Sequence, residues 1–219
     1  KPSNGGVSVM IDDVTYRANV NGMDALHKGI ELDFIYKIQH NLSVEGLLSL
    51  GDWKWNSADT VRFLDDNNNP ILDDFNNEVI ATFDAVGVHV GDAAQTQYGL
   101  SIRYEPTFNS YIKLRGTLFD NYYSDFDPLS LNGENAQRES WKIPTYTLFD
   151  LHCGYKIKLT TKNKLNLRFS ILNILDEMYI SDAQNNDPYN ANYQDFDAKS
   201  AGVFFGLGRR FNLSATINF

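Results

Sequence analysis

The chain has 219 residues, 42% hydrophobic and 21% charged, which excludes both a disordered segment and a bundle of membrane-spanning helices. A formal net charge of −9 excludes a nucleic-acid surface built from clustered Lys and Arg, and the single cysteine, Cys153, excludes an intrachain disulfide. No run approaches the ~20 consecutive apolar residues of a transmembrane helix, but strands alternating apolar and polar residues average to neutral, so a hydropathy scan is blind to a β-barrel.

The opening Lys1-Pro2-Ser3-Asn4-Gly5-Gly6 is neither an initiator Met nor a signal peptide, and implies a processed chain or a piece of a longer one. Val7 to Asn19 is a candidate strand. From Met23 onward the dominant signal is period two, the side-chain period of a strand. Ile30, Leu32, Phe34 and Tyr36 alternate with Glu31, Asp33 and, breaking the pattern, Ile35. Leu42 to Leu50, Tyr98 to Tyr104, Ile112 to Leu118, Phe149 to Ile157 and Leu165 to Ile171 continue in the same way. Phe211, Leu213, Ala215, Ile217 and Phe219 share the last such face.

The connections between these strands are sorted by length. Ile38 to Asn41, Pro106 to Asn109 and Thr160 to Asn163 are short and polar. Asn56 to Ala94, Ser124 to Lys142 and Asp182 to Gly202 are long, and the two kinds take turns. Outer-membrane barrels sort their loops this way, with tight periplasmic turns and long outer loops. Sandwiches and lipocalins have no reason to. The strands also approach the ~9–11 residues that a tilted membrane strand needs.

Aromatics mark both strand ends: Tyr36, Tyr104, Tyr155 and Phe219 on the short-turn side, Trp53, Trp55, Tyr122 and Tyr123 on the long-loop side. That placement predicts two interfacial girdles. The faces carrying Glu31, Asp33, Arg103, Lys113, Arg115, Asp150, His152, Lys156 and Arg168 are predicted to point into a lumen. A Lys or Arg facing lipid at mid-membrane would cost roughly 2–4 kcal/mol.

Three segments narrow the class. Arg209 to Phe219 resembles the terminal strand of outer-membrane barrels, where a last aromatic with alternating apolar residues is a barrel-assembly signal; here that implies Phe211, Leu213, Ala215, Ile217 and Phe219. Ser170 to Tyr179, with Asn173, Leu175, Asp176 and Tyr179, looks like the penultimate strand of TonB-dependent receptors. Asn21 to Leu32 looks like their Gly-x-Glu strand start, at Gly29 and Glu31.

The resemblance spans nearly the whole chain and extends to the carboxypeptidase-regulatory-domain-containing subgroup. It implies an all-β, antiparallel transmembrane barrel segment of about 7–8 long strands, part of a barrel of about 22 strands. On that reading residues 1–219 are the C-terminal part of a receptor barrel, and the plug domain is absent. The implied function is active import of a scarce nutrient, such as a metal chelate, a cobalamin-like compound or a glycan, across the bacterial outer membrane. The implied partners are outer-membrane lipid, the rest of the same barrel and its plug, and the TonB energy-transducing complex. No cofactor is implied.

Candidate chemistry is sparse. Asp65, Asp66, Asp73 and Asp74 form an oxygen-rich run that Ca²⁺ could use, although Asn-Asn-Pro with flanking Asp is equally turn chemistry. Asp150 and His152 share a strand face without a nucleophile motif, which favours a solvated lumen pair over hydrolysis. His27, His40 and His89 lack metal-ligand spacing, and Cys153 falls on an apolar face.

Among loop aromatics, Tyr122, Tyr123, Trp141, Tyr189 and Tyr193 are candidates for stacking on a substrate; for Trp53 and Trp55 the girdle is favoured. No residue is predicted to perform bond chemistry. Two rival readings are a small passive or structural eight-stranded barrel and a soluble β-sandwich or lipocalin-like binding module. The soluble module requires its apolar faces to point inward.

Overall fold

The computed structural model describes residues 7–11, 14–18, 23–65, 69–160, 163–185 and 197–218. Seven long strands form one antiparallel sheet: β1 (Ala25–Gln39), β2 (Leu42–Trp55), β3 (Thr96–Thr107), β4 (Ser110–Asp120), β5 (Tyr146–Lys158), β6 (Lys164–Leu172) and β7 (Arg210–Asn218). Each pairs with its neighbours in sequence, so their spatial order is their chain order. This up-and-down meander is the connectivity of antiparallel barrels. The 15 residues of β1 reach about 50 Å at ~3.4 Å each, beyond the ~30 Å of a hydrocarbon layer.

The connections fall where the alternation placed them. Residues 40–41, 108–109 and 159–163 are the short ones; 56–95, 121–145 and 173–209 are the long ones. Val7 to Asn19 does not add an eighth strand to this sheet. Val7–Ile11 and Val14–Ala18 pair with each other as a hairpin, and five-residue strands are too short to span a bilayer.

Register shows which residues share a face. One row crosses all seven strands through Tyr36, Val44, Ile102, Leu114, Leu151, Ile171 and Phe211. The row one residue away runs through Lys37, Ser43, Arg103, Lys113, His152, Ser170 and Asn212. Successive side chains point to opposite faces, so one face is apolar and the other polar.

Burial then orients the sheet. Leu100 and Ile102 are 56% and 48% exposed, while Ser101 between them is 6% exposed. The apolar face is open and the polar face enclosed, the reverse of a water-soluble sheet. At Gly46, Gly116 and Gly154 a cross-strand aromatic covers the glycine. Phe34 lies over Gly46 on the apolar face and Tyr111 over Gly154 on the polar face, where an added Cβ would collide with the ring.

Among the described residues every buried hydrophobic lies outside these seven strands. The long connections fold into a cap with cores of their own. One core joins Met23, Val61, Phe63, Ile71, Phe83, Ala85, Val88, Phe126 and Leu131; a second joins Ala94, Tyr122, Ile143 and Ala183. Short strands tie the cap together. Ala58–Arg62 pairs with Ile80–Asp84, and Tyr122–Tyr123 with Lys142–Ile143; Asp125–Phe126, Ile180–Asn185 and Gly202–Phe205 form a three-stranded sheet.

Candidate functional site

The polar face of the wall is a network of charges and hydrogen bonds. Lys113 on β4 reaches across β3 to pair with Glu45 on β2. Arg103 pairs with Glu105 at 2.8 Å and lies 3.9 Å above the Tyr111 ring, a cation–π contact. At the short-turn end of this face a recess of about 580 Å³ is lined by Arg103, Tyr111, Lys156, Lys164 and Arg168 among others.

Asp150 and His152 do share this face, with Arg115 and Lys113 opposite them. His152 Nδ1 lies 2.9 Å from Ser170 Oγ, so a hydroxyl–imidazole pair exists. Asp150 Oδ1 instead accepts the Asn173 N–H at 2.9 Å. The carboxylate is therefore spent on a backbone group, and no Asp–His–Ser relay is assembled.

The aromatic residues divide by face. Tyr36, Tyr104 and Tyr155 are exposed on the apolar face near the short turns, as an interfacial girdle requires. Trp53 and Trp55 do not join an outer girdle on that face. Odd-numbered residues of β2 share the face of Glu45, so both indoles belong to the polar side, and Trp55 packs against the larger cap core. Tyr122 and Tyr123 also leave the girdle, because they lie in the cap.

Tyr122 is buried, its hydroxyl donates to Ser181 O at 2.7 Å, and burial raises its pKa above the usual phenol range. Tyr123 stacks on His89 at 4.1 Å, and Trp141 packs beside Tyr122 in the smaller core. Tyr189 and Tyr193 lie outside the described residues. Cys153, between Ile112 and Phe169, is on the apolar face.

The run with the candidate metal ligands is an eight-residue repeat. Leu64 to Ile71 and Leu72 to Val79 share Leu-Asp-Asp-x-Asn-Asn-x followed by Ile or Val. Asp65 Oδ1 accepts the Asn69 N–H at 2.8 Å, and Asp73 Oδ1 accepts the Asn77 N–H at 2.8 Å. Phe63, Ile71 and Val79 then bond in a ring: Ile71 N to Phe63 O, Val79 N to Ile71 O and Phe63 N to Val79 O, at 3.0, 2.8 and 3.2 Å.

The hydrogen bonds from Asn77 hold the Asp73 carboxyl below its ordinary pKa. These oxygens serve turns, and among the described residues no three His, Cys, Asp or Glu stand together as a metal site. Asp66 is outside the described residues. The repeat was legible in the sequence by aligning it on itself at a spacing of eight.

Asp127 behaves in the opposite sense. Its Oδ1 accepts the Leu129 N–H at 3.0 Å, and burial raises its carboxyl above the usual 3.8. The folded cap therefore binds this proton more tightly than the unfolded chain does. Stability is gained as pH falls into the carboxylate range and lost as it rises through the raised pKa. Asp127→Asn keeps the acceptor without the charge. In limited proteolysis across a pH series, Asp127→Asn is expected to lose this component, so that the difference between variant and wild type narrows as pH falls below the raised pKa.

The Asn173 to Tyr179 segment acquires a physical role. Asn173 is 3% exposed and sits at φ 51°, a left-handed conformation that Asn tolerates. Its side chain accepts from Glu177 N at 2.9 Å and donates to Glu177 O at 2.8 Å. Asp176 Oδ1 accepts the Arg209 N–H at 2.7 Å. Tyr179 lies over Gly206, accepts its N–H at 2.8 Å and stacks on Tyr146 at 4.5 Å. Asn, Asp and Tyr thus clamp the end of β6 to the starts of β5 and β7. On β7, Phe211, Leu213 and Ile217 are exposed and in register with Ile171, Phe169 and Leu165, with Ala215 opposite Leu167; Phe219 lies outside the described residues.

A long-stranded meander with its apolar face out and polar face in defines the wall of a transmembrane β-barrel. The family described as "TonB dependent receptor-like, beta-barrel" matches residues 2–174, and the chain belongs to it. It is a family of the bacterial outer membrane.

Among solved structures, the chain is similar to the ferric-catecholate import receptor Fiu from K12 E. coli in its closed form. The identity is 13% and the TM-score 0.49, with 96% of this chain and 23% of that chain covered. The chain thus spans about a quarter of that receptor's length. No curated protein matches.

Proposed function

We propose that this chain is the C-terminal wall and outer cap of an outer-membrane receptor that imports a scarce, bulky nutrient, with energy supplied from the inner membrane through TonB. The observation that carries this reading is the inverted sheet, with Leu100 and Ile102 open on one face and Ser101 enclosed on the other, in a chain of this family. Among the described residues both β1 and β7 end the sheet with an unpaired side, and an open edge cannot stand in lipid. In a receptor, further strands of the same chain close the barrel to about 22. The basic recess at the short-turn end faces the lumen, where the plug domain would meet it.

The role of these residues is structural and recognitive, with no bond chemistry. The test is to express the full parent gene and assay membrane extraction, heat-modifiable gel migration and growth on limiting nutrients. The expected result is a detergent-dependent, heat-modifiable band and growth that is lost when either the receptor or the TonB system is removed. A freely soluble product would overturn the membrane reading. Uptake that persists without TonB would overturn active transport in favour of a passive barrel.

A further inference from the structure

Along the seven strands, charge on the apolar face is confined to one end. The register that places Ile30, Leu50 and Leu118 on that face also places Lys28, Asp52, Lys54 and Asp120 there, all at the long-loop ends of β1, β2 and β4. The short-turn end of the same face carries Tyr36, Tyr104 and Tyr155, while Lys37, Lys156 and Lys164 turn to the polar face. Ile30 pairs with Leu50, and the next pair outward on this face is Lys28 with Asp52. Two residues of a strand advance about 7 Å, so the charges begin one step beyond the apolar band, at head-group depth.

These charges form an ordered belt. Lys54 Nζ lies 2.9 Å from Asp52 Oδ1, and Lys142 of the cap lies 3.0 Å from Asp120 Oδ1. Lys142 Nζ also donates to Asn121 Oδ1 at 2.7 Å. Glu139, behind the belt, is spent on His89: it accepts the His89 N–H at 3.0 Å and meets the ring at Nδ1. His89 Nε2 lies 3.6 Å from Asp52 on its other side. Lys28, Lys54 and Lys142 therefore face two aspartates, and an ammonium group has three donors, so N–H groups remain for a further acceptor.

We propose that this belt is a binding surface for phosphomonoester head groups of outer-leaflet lipid, an assignment that rests on the membrane-wall reading above. Lipid chains wet the whole apolar face without distinction; the belt adds selection by head group. At mid-membrane these lysines would face hydrocarbon, whereas at head-group depth they meet phosphate oxygens. Their alkyl stems lie along the apolar face and their ammonium groups donate to the anion. Asp52 and Asp120 hold two of those ammonium groups at one level. A zwitterionic lipid balances its single phosphate charge with its own cation and gains little here. A phosphomonoester carries close to two charges and gains more. The uncharged short-turn end of the same face has nothing to make that distinction, so the two ends of the wall suit leaflets with different head groups.

The experiment uses the full-length parent protein in phosphatidylcholine vesicles, with each preparation checked for heat-modifiable migration. Spin-labelled lipids report how much of each is held at the protein surface. One probe is a glucosamine-disaccharide lipid bearing phosphomonoesters, and the other is the same lipid dephosphorylated. The phosphorylated probe is expected to be preferred about tenfold, less at high salt. Lys28→Gln, Lys54→Gln and Lys142→Gln should each lower the preference about twofold, and the triple variant should remove most of it. Lys37→Gln, on the opposite face and at the opposite end of β1, should leave it unchanged. Lys28 is exposed, so Lys28→Gln tests the belt even where the triple variant fails to assemble. A heat-modifiable wild type that holds both probes equally overturns the proposal, as does a preference that Lys37→Gln lowers as much as Lys28→Gln does. A wild-type parent without heat-modifiable migration overturns the membrane-wall reading and the belt with it.

Discussion

Leu114→Arg is expected to cost the folded barrel about 2–4 kcal/mol, because Leu114 sits mid-strand on the open apolar face, between Ile102 and Leu151. A guanidinium there meets hydrocarbon and must drag water or headgroups toward itself. Asn212→Arg is its counterpart on the polar face of β7, opposite Ser170, where water or a paired anion meets the new charge. The measurement is the folded, heat-modifiable fraction of the full-length protein across a urea series in detergent and in lipid vesicles. Leu114→Arg should shift the midpoint strongly in vesicles and Asn212→Arg by little. Equal shifts for the two would mean that the apolar face does not contact lipid, and the inverted sheet would need another explanation.

Asn173→Leu is expected to be the most damaging substitution in the clamp between β6 and β7, at about 3–5 kcal/mol. It strips partners from Glu177 N–H and C=O. It also places a branched aliphatic residue at φ 51°. Asn173→Gly relieves the backbone and loses only the hydrogen bonds, so it should cost less, about 1–3 kcal/mol. Asn173→Asp keeps the acceptor for Glu177 N–H and should fall between wild type and Leu. The readout is the yield of assembled barrel and its resistance to protease at β7. If Leu and Gly behave alike, the conformation at this residue carries no weight and the hydrogen bonds account for the whole effect.

Period two made the wall readable. A strand with one apolar and one polar face has to repeat every second residue, so Tyr98 to Tyr104 or Phe149 to Ile157 reveal both their conformation and their sidedness. Loop sorting followed, since short and long connections are visible as the gaps. The same rule, carried on past Leu50 to the end of β2, puts Trp53 and Trp55 with Glu45; a girdle assignment from their position near a strand end overlooks that parity.

The cap was not readable, because its cores draw single residues from distant places. Met23, Phe63, Phe83 and Phe126 have no common period and meet only once the strands are paired. Gln95 was equally hidden, since nothing in a Gln beside a strand says that its amide will hold a tryptophan 42 residues away. The clamp residues stood out as a pattern of residue types, but the left-handed φ at Asn173 and Asp176 that explains them belongs to three dimensions.

The cap also constrains how the outer mouth can move. Its larger core takes Met23 from before β1, Val61 through Val88 from the first long connection, and Phe126 and Leu131 from the second; its smaller core adds Ala183 from the third. Gln137 N–H donates to Asp84 O at 2.8 Å, and the Tyr122 hydroxyl to Ser181 O, so all three connections are stitched to one another. A flap that swung out alone would expose its share of that core and strand those donors, at a cost of several kcal/mol. These segments therefore form a fixed collar. On the proposed receptor reading, a gate would not come from any one of these three connections swinging out alone.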